Sequence, residues 1–113
     1  MEPFLATIHQ FMDENLGKAV TLQDLAATVK LSPFHFIRRY HRLKGRPPMA
    51  ELRRRRMEAA RHLLATTDLP MAAIAQSIGL VSIQHLARLF RQQFGVTPGE
   101  IRRSLYRGDL GLR

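Results

Sequence analysis

The feature that most constrains this fold is an internal repeat, in which residues 32–48 resemble residues 82–98 at a constant offset of 50. Upstream the offset is 49, so the second copy holds one extra residue near Val81. A chain that carries one unit twice is expected to form two similar subdomains. The identical pairs are Ser32 and Ser82, His35 and His85, Arg38 and Arg88, Gly45 and Gly95, and Pro48 and Pro98.

Each copy has the pattern of a short helix, a tight turn and a helix of about 12 residues, which is the helix-turn-helix shape. Ser32 followed by Pro33 predicts a helix start, and Gly45 predicts its end. A small alanine in each first helix, Ala26 or Ala75, would let the second helix cross closely. The expected cores are Leu25, Val29, Phe36, Tyr40 and Leu43 in the first unit, and Ile74, Ile78, Leu86 and Phe90 in the second.

Strand signals are almost absent, so the sequence predicts an all-α fold of seven helices. We expect them over residues 4–16, 22–29, 33–44, 48–65, 70–78, 83–94 and 98–106. The predicted organisation is a first subdomain over 1–46, a linker helix over 47–66, a second subdomain over 67–107 and a frayed tail over 108–113. The linker stripe expected to face the core is Leu52, Ala59, Ala60, Leu63 and Leu64.

The chain carries a formal charge of +9 with a pI near 11.4, and this charge is concentrated. Residues 38–61 hold ten basic side chains against two acidic ones, a net +8, whereas residues 1–37 have a net charge of −2. A concentrated positive surface is typical of a domain that binds a polyanion.

Other functions find little support in the sequence. There is no cysteine, and the five histidines are scattered, so we expect neither a metal nor a cofactor. Paired carboxylates, a Gly-rich phosphate loop and a nucleophile elbow are missing, which argues against an enzyme. No apolar stretch approaches a bilayer span, and the N-terminus lacks a signal peptide pattern. We therefore expect a cytoplasmic protein without a membrane partner.

The chain resembles the DNA-binding domain of the AraC/XylS family of bacterial transcription regulators over roughly residues 5–104. The resemblance rests on LQDLAATVKLSPFHFIRRYHRLKG, on IAQSIGLVSIQHLARLFRQQFGVTP, and on Arg56, Glu58, Ala59, Ala60, Leu63, Leu64 and Arg102. It implies a homeodomain-like fold and sequence-specific binding of double-stranded DNA, with activation of transcription through RNA polymerase. In size the chain is similar to short members of the MarA and SoxS type, and equally to an excised C-terminal domain of a longer regulator.

Several residues depart from the family pattern. Lys30 stands in the first turn where glycine is common, and it would cost about 1 kcal/mol if that position needs φ > 0. Glu51 replaces a common aromatic residue, and Arg55 replaces an apolar one. The run over residues 53–56 points around the whole helix, so its four arginines cannot all touch one partner. We expect Arg56 to pair internally with an acid such as Glu51 or Asp24.

The second helix of each unit is expected to lie in the major groove. The resemblance and the exposed helix faces predict base contacts by Phe34, Ile37, Arg38, Ile83, Gln84, His85 and Arg88. Arginine can pair with guanine and glutamine with adenine, while the isoleucines can pack on thymine methyls. The predicted phosphate contacts are Arg39, Arg42, Lys44, Arg91, Ser32 and Ser82. In the alternative reading, Phe34, Ile37 and Ile83 pack inward, the histidines only buttress the turns, and the arginines are merely solvated.

A linker of about 18 residues spans roughly 27 Å, against roughly 34 Å between successive major grooves. We therefore expect one chain to bind as a monomer across about 20 base pairs. The site should be asymmetric because the two reading faces differ. The alternative is a protein-interaction module that uses the same fold without specific DNA binding.

Overall fold

The computed structural model describes residues 3–107, with side chains described as far as Leu105. Across this range the chain forms seven α-helices and no strand, as predicted. They are α1 Pro3–Glu14, α2 Leu22–Thr28, α3 Pro33–Lys44, α4 Pro48–Thr66, α5 Met71–Ser77, α6 Ile83–Phe94 and α7 Pro98–Arg107. The tail expected to fray, residues 108–113, lies outside the described residues.

Local signals place the helix ends of α2, α3 and α6. Thr21 and Asp24 form a capping box at the start of α2, each side chain accepting from the other residue's backbone N–H. The hydroxyls of Ser32 and Ser82 accept from the third backbone N–H of α3 and α6. Both helices end at a glycine in the left-handed conformation, with φ of 73° and 79°. These pairs of signals make the two copies fold alike.

The described residues divide into two compact units that meet in sequence at Arg55 and Arg56, within α4. The core of the first unit is buried between α1, α2, α3 and the first turns of α4. It consists of Phe4, Ile8, Met12, Leu25, Ala26, Phe36, Tyr40 and Leu52. Leu43, which was expected in this core, is 41% exposed. It is the second-last residue of α3, which ends at Lys44.

The second unit repeats this arrangement around α5, α6 and the last turns of α4. Its buried core consists of Met57, Ala60, Leu64, Ile74, Ala75, Ile78, Leu80, Leu86 and Phe90. Met57 was missed by the sequence analysis because it stands next to the four arginines. Arg102 of α7 donates to the carbonyls of Leu69, at 2.5 Å, and of Thr67, at 3.1 Å, and so ties α7 to the α4–α5 connection.

The turn after α2 requires a left-handed residue, and Lys30 occupies that position with φ of 58°. Lys30 N–H donates to Ala27 and Leu31 N–H to Ala26, the pair of bonds that closes a Schellman turn. In the second unit, Gly79 takes the same position with φ of 82°. The position of Lys30 therefore does require positive φ, and the backbone there is strained.

A buried carboxylate organises the start of α4. Glu51 is 1% exposed, and its oxygens accept from Arg54 at 2.8 Å and from Arg55 at 2.8 Å. Arg55 also binds Asp13 of α1 at 2.8 Å. Burial alone would raise the pKa of Glu51, but the hydrogen bonds and charges of both arginines outweigh burial and lower it.

The internal pairing expected for Arg56 stays a prediction, while Glu51 and Asp24 both have other partners. Glu51 is bound by Arg54 and Arg55, and Asp24 is engaged in the capping box at Thr21. A helix turn brings residues three and four positions apart together, so Arg54 and Arg55 are the neighbours that Glu51 meets. The two departures at Glu51 and Arg55 therefore compensate each other through one ion pair.

A second polar contact crosses the first core. His9 Nε2 lies 2.7 Å from the Tyr40 hydroxyl, and both side chains are buried. Burial raises the pKa of Tyr40 to about 12. Burial, helped by the charge of Arg55, lowers the pKa of His9. The imidazole is therefore held neutral, and it links α1 to α3.

Candidate nucleic-acid interface

The first recognition helix, α3, is buried along one face and exposed along the opposite face. Phe36 and Tyr40 are fully buried. Phe34 is 62% exposed and Ile37 is 38% exposed, and Arg38 is exposed beside them. The three side chains expected to contact bases thus share one open face, which removes the reading in which Phe34 and Ile37 pack inward.

Arginines gather around this face of α3. The Arg38 guanidinium lies 5.5 Å from the centre of the Phe34 ring, a cation–π contact that brings it beside the aromatic face. A hollow of about 380 Å³ is lined by Leu31, His35, Arg38, Arg39 and Arg42. Such an open, positively charged hollow can accept a phosphate.

Arg39 has a further contact, because its guanidinium lies 4.2 Å from the centre of the Phe4 ring of α1. This contact restrains the Arg39 side chain. Because an aromatic ring carries no net charge, unlike a carboxylate, the positive charge of Arg39 is not neutralised by it. Lys44 at the end of α3 is half-buried. Arg42 is exposed.

The second recognition helix, α6, has the same two-sided character. Leu86 and Phe90 are buried, while Ile83 is 44% exposed and Gln84 and Arg88 are exposed. Gln84 and Arg88 are four residues apart and so lie on one side of the helix. Arg91 is exposed one turn further along.

A groove of about 630 Å³ runs beside the start of α6. Its walls come from α5 (Ala72 and Gln76), from the turn (Leu80 and Val81) and from α6 (Ile83 and Gln84). Val81 is 97% exposed, and the sequence analysis did not select it as a contact residue. The signal that could have found it is the one-residue insertion in the second turn.

The serine caps are also part of this surface. Ser32 Oγ accepts from His35 N–H and lies 2.8 Å from His35 Nδ1, so His35 buttresses the first turn, as its alternative reading held. In the second unit His85 N–H donates to Ser82 Oγ at 3.0 Å, and its ring is half-buried. Base contact by His85 and phosphate contact by the two serines stay predictions.

The chain is similar to a known family of domains. A family model described as a helix-turn-helix domain matches residues 25–104, which run from within α2 into α7 and include α3, α4, α5 and α6. The chain belongs to the AraC/XylS family of helix-turn-helix domains. The family expected from the sequence is therefore confirmed.

Two curated relatives illustrate this AraC/XylS membership. The MmsAB operon regulatory protein of Pseudomonas aeruginosa is 33% identical over 104 residues, which cover 92% of this chain and 34% of that protein. The transcriptional activator NphR of a Rhodococcus species is 37% identical over 103 residues, covering 88% and 30%. The chain thus spans about a third of the length of these relatives.

Two solved structures share the fold of this AraC/XylS chain. The DNA-binding domain of AdpA, determined in complex with a target DNA, is 27% identical with a TM-score of 0.85 and covers 100% of both chains. An AraC-type regulator from Chromobacterium violaceum is 26% identical with a TM-score of 0.86, covering 92% of this chain and 93% of that one.

The part of the chain that the structure describes offers no group of three or more histidines or acids that could hold a metal ion. Within the same residues no helix is both long and apolar enough to cross a bilayer.

Proposed function

We propose that this chain binds double-stranded DNA sequence-specifically as part of a transcription regulator, with α3 and α6 lying in successive major grooves. The observation that carries the proposal is the equivalence of Arg38 and Arg88. Both arginines are exposed at the same position of the second helix in each repeat. Family membership independently supports DNA binding.

Base recognition in this proposal uses the exposed faces of both helices. Arg38 and Arg88 each offer two parallel donors to the O6 and N7 of guanine, and Gln84 offers a donor and an acceptor to adenine. The remaining base contacts are Phe34, Ile37, Ile83 and His85. A good bidentate pair discriminates against a wrong base by about 1–3 kcal/mol, so these arginines carry much of the specificity.

Phosphate contacts set the register on the duplex rather than the sequence. The proposed cationic contacts are Arg39, Arg42, Lys44 and Arg91, which flank the reading faces. Ser82 Oγ accepts a backbone hydrogen bond, which leaves its hydroxyl proton for a phosphate, whereas the Ser32 hydroxyl also lies 2.8 Å from His35 Nδ1 and would reach a phosphate by giving up that contact.

Within the two recognition helices the sequences match only at His35 and Arg38, which correspond to His85 and Arg88, so the proposed site is asymmetric and one chain binds as a monomer. Residues 1–46 and 67–107 act as the two reading subdomains, and residues 47–66 act as the linker that spaces them. Because relatives include a named transcriptional activator, we extend the proposal to activation through RNA polymerase. A regulator of bacterial genes works on cytoplasmic DNA.

A protein-interaction module is the second candidate, because exposed apolar side chains occur at the start of both recognition helices. The two functions differ in their response to salt. Binding to duplex DNA releases condensed counterions, and each phosphate contact contributes about −0.9 to the slope of log K against log salt. A protein-interaction module would not bind duplex DNA, so it would show no such salt-dependent affinity for DNA.

Salt dependence therefore tests the proposal. Binding to a random 25-base-pair duplex, titrated by fluorescence anisotropy from 50 to 200 mM salt, should follow a slope of about −4 for four cationic contacts. Arg42→Ala should weaken binding to all duplexes alike and reduce the slope by about 1. Arg61→Ala is the matched control, because the Arg61 guanidinium is paired with Glu58 at 2.7 Å. Absence of duplex binding at 50 mM salt would reject DNA binding and favour the interaction module.

A further inference from the structure

We infer that both halves of the operator are read through the 5-methyl groups of thymines, and that Val81 is a third apolar reader beside Ile37 and Ile83. This inference rests on the proposed function and names the chemistry of its ligand. The ligand is a duplex that presents thymine methyls to the first turn of α6 and to the first two turns of α3.

The exposed apolar side chains lie mainly at the starts of the two recognition helices. Six large apolar side chains are exposed within the described residues, and four of them stand at the beginnings of the recognition helices. These four are Phe34, Ile37, Val81 and Ile83. The other two, Leu43 and Leu69, lie at the end of α3 and in the α4–α5 connection. A random scatter of surface apolar residues would not favour two particular helix starts.

Val81 contributes almost nothing to the packing of the protein itself. At 97% exposure its side chain buries almost nothing on folding, so it contributes little to the free energy of unfolding. It is also the extra residue of the second repeat, since the first turn passes from Leu31 directly to Ser32. With Ile83 it flanks the Ser82 cap and extends the groove-side wall formed by Leu80.

The apolar side chains also define the chemistry of the partner. Val81 and Ile83 carry no hydrogen-bond donor or acceptor, so they can read a base only through shape and apolar contact. Among the four bases, thymine alone presents an apolar methyl group in the major groove. The same faces carry Arg38 and Arg88, which suit the guanines and phosphates that lie beside such a methyl. This charge pattern favours duplex DNA over an apolar protein surface.

The two repeats place their apolar groups differently. At the offset of 50, Phe34 and Ile37 correspond to Gln84 and Ala87, and Ile83 corresponds to Pro33. The thymines of the two half-sites should therefore stand at different distances from the base that each arginine reads. 5-Methylcytosine carries the same methyl group in the major groove, so it should replace thymine at these contacts in part.

The experiment starts from duplexes that the wild-type protein selects out of a random library. The selected pool is amplified once with dTTP and once with dUTP, which removes every thymine methyl and keeps all hydrogen-bonding groups. Loss of each contacted methyl should weaken binding about fourfold, the ratio expected for burial of one methyl-sized group. The salt slope should stay the same for both pools, because the phosphates are unchanged.

Variants assign the effect to residues. Val81→Ser and Ile83→Ser should each lower the thymine-to-uracil affinity ratio by about fourfold, since each removes one apolar contact. Leu43→Ser and Leu69→Ser are matched controls that remove an exposed leucine elsewhere, and they should keep the wild-type ratio. Circular dichroism of each variant confirms that the fold is retained, which the exposure of all four side chains leads us to expect.

The possible outcomes distinguish failure of methyl reading from failure of DNA binding. A selected pool that binds equally well with thymine and uracil overturns methyl reading while leaving sequence-specific DNA binding intact. A wild-type ratio in Val81→Ser overturns the role of Val81 and leaves that surface to a protein partner. Failure to select any sequence, with no salt-dependent binding, rejects the proposed function itself.

Discussion

Replacing Lys30 by glycine should stabilise the protein. Lys30 has φ of 58°, and a left-handed conformation costs an L-residue roughly 1–2 kcal/mol. Glycine relieves that strain but lowers stability by about 0.4–1 kcal/mol through the greater freedom of its unfolded chain. The expected net gain in the free energy of unfolding for Lys30→Gly is therefore about 1 kcal/mol.

Lys30→Ala is the control for this prediction, because it removes the same charge and side chain while keeping the strain. The structure supplies a reciprocal test at Gly79, which has φ of 82° in the equivalent turn. Gly79→Ala should lower the free energy of unfolding by about 1 kcal/mol. The four proteins can be compared by urea unfolding at 222 nm, where a stability change shifts the midpoint without changing the slope.

The comparison that decides is between glycine and alanine at position 30. If Lys30→Ala stabilised the protein as much as Lys30→Gly, relief of charge repulsion in a basic chain would explain the gain. If neither variant were more stable than the wild type, the turn would bear no strain. Either result would refute the claim that the left-handed conformation of Lys30 strains the backbone.

Four further predictions concern buried polar groups and one arginine. Tyr40→Phe should cost about 1–2 kcal/mol of unfolding free energy, because His9 loses its 2.7 Å partner; thermal melting measures this. The lowered pKa of His9 means that its stabilisation is present above pH 6.5 and is lost as pH falls through the folded-state pKa, which a pH series in urea should show against His9→Gln. Glu51→Gln should cost about 2–3 kcal/mol at pH 7, less than a fully buried pair because its arginines are partly exposed. The lowered pKa of Glu51 places the loss of that contribution below pH 4.5, so the difference between wild type and Glu51→Gln should shrink in acid. Arg88→Ala should weaken binding to a selected site by about 1–3 kcal/mol but leave affinity for random duplex within twofold to threefold, as measured by anisotropy.

The sequence predicted most of the fold because the signals at the helix ends are local. Ser32, Gly45, Ser82 and Gly95 mark the ends of the two recognition helices without reference to tertiary contacts. The predicted bounds of α3 and α6 agree with the structure for the same reason.

The errors came where side-chain direction depends on three-dimensional packing. Leu43 fits the helical period of the core, yet its side chain is 41% exposed. The arginine partners of Glu51, by contrast, follow from helical spacing of three and four residues, which brings Arg54 and Arg55 beside it.

The candidate site likewise has one part that the sequence predicted and one part that it did not. The exposed faces with Phe34, Ile37 and Ile83 follow from helical periodicity, which places Phe36 and Leu86 inward. The prominence of Val81 does not follow from periodicity, since a turn residue has no fixed face. Its near-complete exposure is known only from the structure of the α5–α6 turn.

The central claim is that two groove-reading helices in one chain recognise two unlike half-sites. Selection from a random duplex library with wild type, Arg38→Ala and Arg88→Ala tests this claim most directly. We predict an asymmetric motif with two halves about one helical turn apart, in which each variant loses sequence information in a different half. A motif confined to a single half-site, or loss at the same positions in both variants, would contradict the account.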